Sequence, residues 1–61
     1  MNPELIKYEL KIRGYNQIRV AELANVTPQT VNLVIKGTCE SKNVKTVIAG
    51  ILNKSIIEVF G

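Results

Sequence analysis

The four residues Asn25-Val26-Thr27-Pro28 constrain this chain more than any other stretch. Asparagine ranks next to glycine in tolerating a left-handed backbone, so Asn25 can end a helix and turn the chain. Thr27 is a good N-cap. Pro28 suits the first position of a new helix, where its missing N–H is not needed. A stop and a start therefore fall side by side. Apolar residues recur at helical spacing on both flanks, over Gln17–Ala24 and over Pro28–Lys36. Two helices joined by so short a turn come close at one point. Ala21 supplies the small residue that this approach needs. Val31 and Val34 supply the packing opposite it, and Val26 an apolar plug within the turn.

The remaining punctuation is as regular. Asn2, Pro3 and Glu4 open a first helix, with a cap, a pre-set φ and a charge suited to the helix dipole. Ile6 and Leu10 are its expected core contacts, with Leu5 beside them, while Ile12 falls off that stripe. Gly14 ends it, and Tyr15 is expected to fold back over the core. Asn16 caps the second helix, in which Ile18, Val20, Ala21 and Ala24 are apolar and Leu23 adds to the inner face. The third helix turns Val31, Val34 and Ile35 inward and Gln29, Thr30, Asn32, Leu33 and Lys36 outward, and Gly37 closes it. After a polar loop, Ser41 caps a fourth helix over Lys42–Leu52, with Val44, Val47, Ile48, Ile51 and Leu52 inside and Asn53 as its stop. Ser55 and Glu58 form a capping box for a short last helix through Phe60, whose Ile56, Val59 and Phe60 return to the core. No stretch alternates with a period of two. The expected fold is all-α: five short helices in one domain over residues 1–61.

Composition narrows the function. A chain of 61 residues buries only about 60% of its unfolded surface, so the core is small. With no histidine there is no Ser-His or Cys-His nucleophile and no histidine metal ligand. All five acids are glutamates, which disfavours a clustered carboxylate site. No glycine-rich phosphate loop is present. Neither a catalytic residue, a metal, a cofactor nor a small-molecule substrate is expected. One cysteine cannot close a disulfide within the chain, which fits a reducing cytoplasm. No apolar run approaches the ~20 residues of a membrane span, and the N-terminus lacks the pattern of a signal peptide. A soluble, cytoplasmic protein away from membranes is expected. Eight Lys and Arg against five Glu give a charge of +3 and a pI near 9.3, in the range of a nucleic-acid footprint.

The chain resembles the helix-turn-helix regulators related to lambda repressor and Cro, and among these the small phage Ner-type regulators. The resemblance rests on Arg13-Gly14-Tyr15-Asn16, Ala21, Val26-Thr27-Pro28-Gln29, Val31 and Val34-Ile35-Lys36-Gly37. It extends through the Ser41–Leu52 helix to Ser55-Ile56-Ile57-Glu58-Val59-Phe60, and so covers nearly the whole chain. Asn25 departs from the glycine usual there, and Thr38-Cys39-Glu40-Ser41 from a loop that often carries more arginine.

The resemblance implies a sequence-specific regulator of transcription on double-stranded DNA, a repressor of phage type. Its third helix, about 28–36, would enter the major groove, with the second helix lying across the backbone. Gln29 and Asn32 are the expected base readers, because an amide both donates and accepts and so matches adenine. Thr30 and Leu33 lie near them, Leu33 suited to a thymine methyl. Gln17, Arg19, Thr27, Lys36, Thr38, Lys42, Asn43 and Lys45 are the phosphate candidates. A module this small needs two copies for useful specificity, and the last helix, with Ile56, Ile57 and Phe60, is the expected homodimer surface.

Plainer roles stand beside these. Val20, Ala21, Leu23, Val26, Val31 and Val34 read as core that only sets the helix angle. Gln29 and Asn32 can be solvated surface, and Gln17 an ordinary first-turn residue. Lys7, Lys11 and Lys54 read as solvated charges away from DNA, and Cys39 as a loop residue. Residues 17–37 carry only Arg19 and Lys36 against Glu22. A helix pair that serves as a protein-interaction module, an adaptor or antitoxin-like partner, is therefore the alternative.

Overall fold

The computed structural model describes residues 1–61 as five α-helices with no strand: α1 (Pro3–Ile12), α2 (Gln17–Ala24), α3 (Pro28–Lys36), α4 (Lys42–Leu52) and α5 (Ile56–Phe60). Each begins on a side-chain cap that accepts a backbone N–H three residues on. Asn2 accepts from Leu5 at 2.7 Å, Asn16 from Arg19 at 2.7 Å, and Thr27 from Thr30 at 3.3 Å. Ser41 accepts from Val44 at 3.5 Å and Ser55 from Glu58 at 3.1 Å. Glu58 returns the bond, accepting from the Ser55 N–H at 3.0 Å, so the capping box is complete. These caps satisfy donors that a helix start otherwise leaves open.

The first four helices all end in one way. A residue of positive φ follows the last turn: Gly14, Asn25, Gly37 and Asn53. The N–H one residue further on then donates back across the turn, Tyr15 to Leu10, Val26 to Ala21, Thr38 to Leu33 and Lys54 to Ala49, at 2.9–3.0 Å. This is the Schellman arrangement, and it satisfies carbonyls that would otherwise be orphaned. Asn25 and Asn53, at φ 58° and 57°, do the work that glycine does at 14 and 37.

The core is wholly apolar. Ile6 and Leu10 enter it from α1, and Val20, Ala21 and Ala24 from α2. Val31, Val34 and Ile35 come from α3, Val44, Ile48, Ala49 and Leu52 from α4, and Val59 from α5. No polar or charged side chain is buried. α2 packs against α3 and α4, α1 against the same two helices, and α5 against α4. The Met1 ammonium donates to the Val59 carbonyl at 2.9 Å and ties α5 to the start of the chain.

Several expected core residues are not inside. Leu23 and Ile18 are exposed, because Val20, Ala21 and Ala24 define the buried stripe of α2 and these two stand roughly 110° to either side of it at about 100° per residue. Leu5 is exposed for the same reason beside Ile6. Val26 is half-buried and packs against the core edge, as do Tyr15, Val47, Ile51, Ile56 and Phe60. Ala49, unremarked in the sequence, is buried on α4.

Candidate nucleic-acid interface

The outer face of α3 is set by the inner one. With Val31, Val34 and Ile35 buried, Gln29, Leu33 and Lys36 must project away from the core, and all three are exposed. Thr30 and Asn32 stand at the margin, half-buried. The Thr30 hydroxyl lies 3.0 Å from that of Thr27, so the two are hydrogen-bonded at the start of α3 while Thr27 also caps the helix.

Asn32 is held from the neighbouring helix. The Gln17 Nε2 donates to the Asn32 Oδ1 at 3.2 Å, across the α2–α3 angle. The Asn32 amide nitrogen and the second lone pair of its oxygen stay open, which is the donor and acceptor set that adenine matches. Gln17 keeps its own Oε1. The backbone N–H groups of Gln17 and Ile18 precede the first capped one and have no acceptor within the helix. The sequence singled out both residues but not the bond between them. Fifteen positions separate them, and only the packing of α2 on α3 brings them together.

Lys7 and Lys11 stand closer to these groups than expected. Spaced by four, they share one edge of α1, and with Tyr15, Asn16 and Gln17 they border a single hollow. Their charges therefore lie beside the N-terminus of α2. Lys54 stands elsewhere, bordering a hollow with Met1, Leu5, Glu9 and Glu58.

The other basic and polar candidates fall into separate groups. Lys42 and Asn43 border a shallow notch with Leu23, Ala24 and Asn25, beside the turn between α2 and α3. Lys36 lies at the other end of α3, where the Thr38 hydroxyl donates to the Leu33 carbonyl at 3.2 Å. Lys45 is engaged. Its ammonium lies 2.9 Å from Glu40 and 5.5 Å from the centre of the Phe60 ring, with only 19% of the side chain exposed. Arg19 faces Glu22 at 3.7 Å with both side chains mostly in solvent, a pair too open to hold it. Cys39 is a free, half-buried thiol.

Glu58 lies on α5. The Ser55 backbone N–H, then the Ser55 hydroxyl, hold its carboxyl below the ordinary value of 4.5, and the Lys54 charge assists. No three metal-ligating side chains cluster anywhere in the chain. No helix is long and apolar enough to cross a membrane. No protein-family model, curated protein or solved structure matches the chain.

Proposed function

We propose that the chain is a sequence-specific regulator of transcription on double-stranded DNA, of the lambda repressor and Cro-like type and phage-repressor class. In this reading α2 and α3 form the helix-turn-helix, and α3 lies in the major groove. The observation that carries it is the Gln17–Asn32 bond. The fold does not need it, since the buried face of α3 is wholly apolar. Its effect is to fix the orientation of an amide on an outward face, which is what discrimination between base edges requires. Gln29 and Leu33 extend that face, and Thr30 borders it. The free N–H groups at the start of α2, with Lys7 and Lys11 beside them, suit a phosphate. Arg19, Lys36, Lys42 and Asn43 are further backbone contacts, and Thr27 and Thr38 offer hydroxyls already engaged at the ends of α3. Lys45 is the weakest of the set, because Glu40 neutralises it. Two copies on half-sites about 34 Å apart would give the specificity that one lacks.

Selection from a random DNA pool, followed by titration of the recovered site across a salt series, tests this. Affinity should fall steeply as salt rises, because each phosphate contact releases counterions. Gln29→Ala and Asn32→Ala should abolish preference for the site while leaving the thermal transition unchanged. Failure to enrich any site, or binding indifferent to salt, sinks the reading.

The second reading, a protein-interaction module, is favoured by Leu33, an apolar side chain 43% exposed at the centre of the outer face. It requires that Gln29→Ala and Asn32→Ala leave DNA affinity untouched while Leu33→Glu abolishes capture of a protein partner.

A further inference from the structure

The largest unpartnered apolar row lies on α1, on the far side from the core. Leu5, Tyr8 and Ile12 are 40%, 58% and 57% exposed, and their spacing of three and four sets them on one face. Met1, which precedes the helix, borders the same hollow as Leu5. This is the a/d spacing of a two-helix seam. The last helix, by contrast, offers little: Ile56 and Phe60 pack on the core, leaving Ile57 alone in solvent.

We propose that the chain associates with a second copy of itself through α1, the two helices running antiparallel about a two-fold axis. Leu5 then packs against the partner's Tyr8, symmetry repeats the contact, and Ile12 closes each outer end of the seam. The edges of the seam decide both occupant and direction. Glu4 and Lys11 occupy equivalent positions on one edge, seven residues apart. Antiparallel packing sets Glu4 opposite the partner's Lys11, and symmetry repeats the pair. Parallel packing would set Glu4 beside the partner's Glu9, a carboxylate already paired with Arg13, and would leave Lys11 with no opposite charge. A surface complementary to itself in both shape and charge is fitted to its own copy. None of Leu5, Tyr8 and Ile12 borders the hollow shared by Lys7, Lys11 and Gln17. Lys11 alone belongs to both hollow and seam, so the association is read on the chain without DNA. One helix per copy makes a small interface, below about 1,200 Å² in total, so the dimer dissociates on dilution.

Sedimentation equilibrium of the full chain without DNA, from micromolar to millimolar, tests this, with a thermal melt of every variant. A monomer–dimer equilibrium is expected. Tyr8→Glu and Ile12→Glu should raise the dissociation constant about ten-fold or more, while Ile57→Glu leaves it unchanged. Glu4→Lys and Lys11→Glu should each weaken the dimer, and the double exchange should restore it at a temperature where all variants are folded. A chain monomeric at millimolar concentration overturns the proposal. So does a dimer lost on Ile57→Glu but kept on Ile12→Glu, or a charge exchange that restores nothing.

Discussion

Asn25 carries a backbone conformation that most residues avoid, and it does so at the turn on which α3 depends. At φ 58° a β-branched side chain clashes with its own carbonyl. Asn25→Val should therefore cost about 1–2 kcal/mol, read from the urea midpoint, while Asn25→Gly should keep the wild-type stability or exceed it. Gln17 tests the other side of the pair. The bond it loses is only part-buried, so the thermal transition of Gln17→Ala should fall by little. On a selected DNA site, discrimination at the base pair nearest Asn32 should fall by about 0.5–1.5 kcal/mol, the net worth of one hydrogen bond. Competition with single-base variants of the site measures it. An equal loss on every sequence would assign Gln17 to the phosphates alone.

At the scale of the element, α5 depends on its capping box. It has only five residues, too few to be helical by propensity alone. Because the folded structure lowers the carboxyl pKa of Glu58, the stabilisation is present above 4.5 and disappears as pH falls through the lower folded value. The melting temperature should thus drop in acid, and Glu58→Gln should flatten that drop while lowering the plateau at neutral pH. The caps also explain why element boundaries could be read from the chain. Asn2, Asn16, Thr27, Ser41 and Ser55 act on N–H groups three residues away, and Asn25 and Asn53 on their own backbone, so the chemistry is local. Burial is not local. Ile18 and Leu23 are as apolar as Val20, and only the placement of α3 and α4 around α2 leaves them outside. The Gln17–Asn32 bond and the capture of Lys45 by Glu40 and Phe60 were hidden for the same reason.

Over the whole molecule, thirteen apolar residues form a single core. Ile48 is fully buried within it, on the helix that α1, α2 and α5 all touch. Ile48→Ala should cost about 2–5 kcal/mol, as much as a domain of this size holds in total, about 3–5 kcal/mol. Such a variant should be largely unfolded at 25 °C by circular dichroism, whereas Gln29→Ala should melt as the wild type does. Inner and outer faces of α3 are thus nearly independent in free energy. That separation bears on how a lineage carrying this chain can change. Gln29 and Leu33 can each be exchanged in a single mutational step, at no cost to folding. Asn32 is tied to Gln17 on another helix, so a change at 32 also releases the Gln17 amide that orients it. In the proposed reading, descendants that alter position 32 should therefore change position 17 with it, through selection on the site and not on folding.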